Sequence, residues 1–80
     1  MFDQVNAVEY GLTGAIWTAS LANAHRAGSR VESGYLWVNN VSSHFHGASF
    51  GGYKQSGIGR EDGYDELLTY TQTKNINITL

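Results

Sequence analysis

The side chains best suited to chemistry crowd between positions 44 and 61: His44 and His46 flanking Phe45, then Phe50, Tyr53, Lys54, Arg60 and Glu61. Two imidazoles at H-x-H spacing can ligate a metal, but such a site needs a third and usually a fourth ligand. No carboxylate or cysteine adjoins them in the sequence. Pocket lining or hydrogen bonding is the expected role of the pair. Glu61 follows Arg60 and admits two readings. One is a helix-start carboxylate stabilised by the macrodipole; the other is a charge matched to a lysine elsewhere. Phe50 divides between core packing and the wall of an apolar pocket. Lys54 divides between solvent and a tie from its loop to a neighbour. His25 reads as a solvated helix residue or a core histidine.

No catalytic constellation is complete within the chain. There is no Ser-His-Asp arrangement with supporting motifs. The absence of cysteine removes thiol catalysis, thiolate metal sites and disulfides together. The run Gly57-Ile58-Gly59-Arg60-Glu61-Asp62-Gly63 has dinucleotide-fingerprint spacing. That fingerprint needs a strand directly before it, a helix after it and an acid about twenty residues on. A long irregular loop precedes the run and no such acid follows, so it reads as a turn. Gly52 to Gly57 has P-loop spacing, but Ile58 stands where that loop requires lysine.

What remains is the stretch Phe50–Gly63, FGGYKQSGIGREDG, in which six of fourteen residues are glycine or serine. Glycine permits close backbone approach and positive φ. Interleaved with Phe50, Tyr53, Lys54, Arg60 and Glu61, it describes a loop that positions something.

Eighty residues allow one domain at most, with a modest share of surface buried on folding. A net charge of -2 without a basic run gives no footprint for nucleic acid. No apolar run reaches bilayer-spanning length. The N-terminus MFDQVNAVEY lacks the positive and apolar regions of a secretory signal. A cytoplasmic protein without a membrane partner is the expectation.

The elements that must carry these residues follow from pattern. Val5 and Val8, behind Asp3, predict a short helix over Asp3–Val8 that stops at Tyr10–Gly11. GAIWT (14–18) and GYLWVN (34–39) are apolar runs suited to strands covered on both faces. Between them Ser20 can cap a helix through Arg30. Strand, helix and strand make a βαβ unit with parallel strands and a right-handed crossover. Residues 40–59 lack periodicity and predict a long loop, a length that usually serves a function. Arg60–Leu68 predicts a helix with acids in its early turns. TYTQTKNINITL (69–80) alternates polar and apolar residues as a strand does, with no hairpin partner. An unpaired edge is a template for another chain, so this strand is expected to cross a subunit interface.

Taken in order, NAVEYGLTGAIWT, AGSRVESGYLWVNN, FGGYKQSGIGRE and ELLTYTQTKNINI resemble the C-terminal end of the aldehyde dehydrogenase superfamily over almost the whole chain. The resemblance implies an α/β fold that is part of a catalytic domain: residues 1–68 from that domain and 69–80 as an oligomerisation strand. It implies NAD(P)-dependent oxidation of an aldehyde to a carboxylic acid. The family's cysteine nucleophile, general-base glutamate, oxyanion-hole asparagine and NAD or NADP site have no counterpart here, so the chain alone is expected to be inactive. The resemblance places Phe50 on the substrate tunnel and residues 40–49 in the substrate-specificity loop, with His44, Phe45 and His46 bordering the aldehyde. Among betaine aldehyde dehydrogenase-like members, Glu61 matches a charge-relay carboxylate. In the same members Lys54 and Gly57 match carbonyl ligands of an intersubunit potassium ion, a hard cation that takes oxygen donors. Ser49, where proline is common, and Asp62-Gly63-Tyr64 depart from the pattern. The imidazoles and Phe45 suggest an aromatic or medium-sized aldehyde. Two rival expectations are a non-enzymatic module docking its terminal strand onto a full-length relative, and a free-standing α/β binding domain.

Overall fold

The computed structural model describes residues 1–80. Its elements are α1 (Phe2–Val5), β1 (Tyr10–Gly11), β2 (Thr13–Ile16), α2 (Leu21–Arg30), β3 (Tyr35–Val38), β4 (Tyr53–Lys54) and α3 (Tyr64–Thr69).

The βαβ expectation holds. β2 and β3 are parallel, with Thr13 opposite Tyr35 and Ile16 opposite Val38, and α2 packs against β2. Ser20 is extended and accepts from the Asn23 amide at 3.3 Å, satisfying one of the orphan donors of the first turn. The helix ends at Arg30, its cap Val31 turning extended rather than left-handed, and Gly28 lies in its interior. Asn39 finishes the sheet. Its amide donates to Ile16 at 2.8 Å, and its carboxamide then imitates a further strand residue: Oδ1 accepts from the Thr18 amide and Nδ2 donates to the Thr18 carbonyl, both at 2.9 Å. Asn39 sits at φ 56°, a left-handed conformation that asparagine tolerates well. It sends the chain sharply into the 40–49 loop.

Four expectations need correction. The first helix closes at Val5, because the groups that would prolong it are engaged elsewhere. The Asn6 side chain donates to the Arg30 carbonyl (2.8 Å) and accepts from the Glu32 amide (2.9 Å), while Lys54 Nζ takes the Asn6 and Val8 carbonyls. Tyr10–Gly11 is therefore a strand rather than a helix stop. Its partner β4 lies inside the expected loop, antiparallel, with Tyr10 opposite Lys54. The last helix begins at Tyr64, not Arg60. Glu61 is occupied in a bridge with Phe50, and Asp62 is left-handed at φ 61°. Finally, residues 70–80 carry no strand ladder. Thr69 closes α3, and the remainder is exposed with no backbone partner beyond the last turn of that helix. A strand is a paired element, and this chain offers no second strand to it.

The expected two-sided cover of β2 and β3 is also absent, since both strands keep half-exposed positions. Only four residues are buried: Gly11, Ala24, Gly51 and Gly52. Trp17, Leu21 and Leu67 are all more than 60% exposed. Parallel sheets are stable when covered on both faces, and α2 covers one. No helix is long and apolar enough to cross a membrane. With Ala24 as the only buried apolar side chain, burial contributes far too little to offset chain entropy. The 80-residue chain alone should therefore melt without a cooperative transition by calorimetry and near-ultraviolet circular dichroism. A sharp two-state transition would instead support the free-standing domain.

Candidate functional site

Strand β3 alternates its side chains, so Tyr35 and Trp37 share one face. Their rings lie 5.0 Å apart between centroids. Onto this pair fold His44 from the 40–49 loop and Phe50 from the glycine-rich stretch. His44 stacks on Tyr35 at 5.3 Å and 24°, approaches Trp37 edge-on at 5.8 Å and lies 4.8 Å from Phe50. Tilted and edge contacts at these separations suit the ring quadrupoles. The result is an aromatic wall of four rings.

Polar contacts fix the wall. Trp37 Nε1 donates to the Ser43 carbonyl at 2.7 Å, and the Phe45 amide reaches the Tyr35 hydroxyl at 3.5 Å. His44 Nδ1 lies 3.3 Å from Asp62 Oδ2. The Asp62 carbonyl accepts from the Gly47 amide at 3.0 Å, and its own amide donates to Glu66 Oε2 at 3.1 Å. Phe50 and Glu61 exchange two backbone hydrogen bonds, of 2.8 and 2.6 Å. Arg60 Nη1 donates to the Gly52 and Gly59 carbonyls, both at 2.9 Å, which folds the glycine-rich segment around its guanidinium. A Cβ on Gly51 would meet the Gly59 carbonyl and the Arg60 side chain, so glycine is required there.

Of the residues expected at the site, the structure unites Phe50 and His44. Phe45 and His46 are exposed, and neither ring joins the wall. Glu61 enters through its backbone, and its carboxylate makes no ion pair, so it is not a helix-start acid. Asp62 corrects the expectation that no carboxylate approaches the histidines. It adds one group to His44, and no three His, Cys, Asp or Glu side chains converge. Tyr35, Trp37 and Asp62 were not singled out in the sequence. The alternation of Tyr35 and Trp37 within a strand was the available signal for the first two. Asp62 gave none, because its reach to His44 depends on the left-handed turn.

Lys54 ties its loop down. Its ammonium pairs with Glu32 and donates to the Asn6 carbonyl at 2.8 Å and the Val8 carbonyl at 3.3 Å. Lys54 and Gly57 close one turn, in which the Gly57 amide reaches the Lys54 carbonyl at 3.4 Å, a long and weak bond. Gly57 stands in open space at φ 120°. Such a turn presents carbonyl oxygens, the donor chemistry a hard cation takes. The run Gly57–Gly63 does not form a dinucleotide fingerprint, since α3 begins at Tyr64 rather than at the glycines.

Two clefts border these elements. One of about 500 Å³ is lined by Phe50, Arg60, Glu61, Glu66 and Tyr70 among others. The larger, about 590 Å³, is an apolar hollow between α1, β1 and β2 that includes Phe2, Val8, Leu12 and Ile16. The larger one lies away from the chemistry, and its lining is mostly apolar.

The family model described as the aldehyde dehydrogenase family matches residues 1–76. Aldehyde dehydrogenase tropH of Talaromyces stipitatus is 51% identical over 76 residues, 95% of this chain and 15% of that protein. The 2-hydroxymuconic semialdehyde dehydrogenase of Pseudomonas putida is 47% identical over 75 residues, again 15% of its length. The chain thus spans about 15% of the curated relatives it matches. Among solved structures, an NAD+ complex of an aldehyde dehydrogenase from Bacillus cereus superposes with a TM-score of 0.83 at 38% identity, covering 89% of this chain and 14% of that one. Betaine aldehyde dehydrogenase from Staphylococcus aureus, also with NAD+, gives 0.81 at 39%, covering 86% and 14%.

Placing residues 1–76 in the matching segment of the Pseudomonas putida enzyme gives a hybrid in which single contacts can be tested. Lys54→Met there should cost about 1 kcal/mol of stability, because Glu32 is half exposed and solvent screens the pair. Denaturant titration of the hybrid checks this, and an unchanged midpoint would show that the ammonium contacts contribute nothing.

Proposed function

Because the chain belongs to the aldehyde dehydrogenase family, we propose that it forms the aldehyde-side wall of an active site that oxidises an aldehyde to a carboxylic acid with NAD or NADP. The observation that carries this reading is the four-ring wall closed by Phe50, set inside the segment that the family model matches. Its rings would bury the non-reacting part of the substrate and exclude water around it. Binding energy collected there positions the carbonyl for attack by groups outside these residues. When bound, the nicotinamide would supply the hydride acceptor. Glu61 would act as a charge partner for a lysine elsewhere in the enzyme, and its unpaired carboxylate leaves it free to do so. His44 would border the substrate directly, with Phe45 and His46 further out on the same loop. The aldehyde is then aromatic or of medium size. The carbonyls of Lys54 and Gly57 would contribute to a potassium site between subunits. Residues 1–68 would belong to the catalytic domain and 69–80 to an oligomerisation arm, within a cytoplasmic homo-oligomer.

The test has two parts. The purified 80-residue chain should reduce no NAD+ with any of a panel of aldehydes, since it has no cysteine. The hybrid should reduce NAD+ in the presence of aldehyde. Turnover by the chain alone, or a folded hybrid without turnover, would contradict the reading.

The exposed, unpaired residues 70–80 favour a second reading, a module that docks this segment onto a full-length relative. Size-exclusion chromatography of the chain with such a relative separates the two, because only the module requires a stable complex. Under the first reading, truncating the hybrid after Thr69 should shift it to a smaller assembly. An unchanged elution volume would remove the arm from the account.

A further inference from the structure

We propose that His44, oriented by Asp62, is a specificity-determining hydrogen-bond acceptor that selects planar aldehydes carrying a hydroxyl group. The inference rests on the aldehyde-side reading above. Ionised carboxylates accept hydrogen bonds and donate none, so at the 3.3 Å contact Nδ1 of His44 carries the proton. In the neutral ring this leaves Nε2, on the opposite edge, as an acceptor. No group of this chain donates to it, and the His44 side chain is 41% exposed. The imidazole that carries this acceptor stacks on Tyr35 at 5.3 Å, with Phe50 tilted against it at 4.8 Å and Trp37 edge-to-face at 5.8 Å. Flat aromatic surfaces with a single acceptor fit a planar substrate with a single donor.

Charge decides between a hydroxyl and a carboxylate on that substrate. Asp62 touches the imidazole, Glu66 holds the Asp62 amide, and Glu61 directly precedes Asp62 in the chain. The nearest cation, Arg60, is turned onto the Gly52 and Gly59 carbonyls. An anionic substituent would meet acids, whereas a neutral hydroxyl would not. Asp62 is then a positioning residue with two grips on the loop: its carboxylate sets the tautomer of His44, and its carbonyl holds Gly47 at 3.0 Å. Its φ of 61° suits aspartate and asparagine better than most residues.

The hybrid enzyme tests this through binding alone, using 4-hydroxyacetophenone and acetophenone, ketones that cannot be oxidised as aldehydes. By equilibrium dialysis the hydroxylated probe should bind roughly tenfold more tightly, the scale of one well-made hydrogen bond. His44→Phe keeps a ring in the wall and should abolish that preference. Asp62→Ala should abolish it as well, whereas Asp62→Asn, which retains an acceptor oxygen for Nδ1–H, should restore most of it. Equal binding of the two probes to the unsubstituted hybrid would overturn the proposal. So would a preference that survives His44→Phe, or that is the same in Asp62→Ala and Asp62→Asn. A hybrid that shows the expected probe preferences but oxidises no aldehyde would overturn the enzymatic reading and leave this one standing.

Discussion

The paired hydrogen bonds between the backbones of Phe50 and Glu61 govern the functional half of this chain. They fold the glycine-rich segment back on itself and bring Phe50 against His44 and Tyr35. They also withdraw Glu61 from α3, which places Asp62 in the left-handed turn from which it reaches His44. The Arg60 guanidinium supports the same fold from inside, through the Gly52 and Gly59 carbonyls. Small residues are needed wherever these strands of backbone cross. A Cβ on Gly34 would overlap the Gly51 carbonyl, which ties the entry to β3 to the same bridge.

Polar contacts carry an unusual share of the order in this chain. With one buried apolar side chain, the segments are joined by Asn6, Asn39 and Lys54, each bonding to backbone groups far away in sequence, and by Arg60 within its own loop. Such contacts specify geometry, but each is worth only about 1 kcal/mol net. They set the arrangement without supplying the stability of a domain. The apolar hollow beside β2 and the half-exposed strands are what a structure looks like when its other layers belong to more protein. The match to about 15% of each curated relative agrees with that.

Pattern made the βαβ unit legible: two apolar runs, Ser20 as a cap, and a helix ending at Arg30 all stand where expected. The family signature was likewise legible in FGGYKQSGIGRE, and the match over residues 1–76 bears it out. The misreadings share one cause. Two-residue strands such as β1 and β4 have no periodicity to detect, and the early end of α1 depends on Lys54 and Glu32, far away in sequence. Among site residues, Phe50 was visible from its motif, whereas Asp62 was hidden because its role requires a φ of 61°. The polar and apolar alternation of 69–80 is a strand pattern, but no strand of this chain pairs with it.

The central claim is that the ring wall of Tyr35, Trp37, His44 and Phe50 faces an aldehyde. A crystal structure of the hybrid enzyme with a bound aromatic substrate analogue tests it most directly. The account predicts the analogue's ring in van der Waals contact with Phe50 and His44, with the Asp62–His44 contact intact. An analogue seated against other residues, with these four rings packed away from it, would contradict the account.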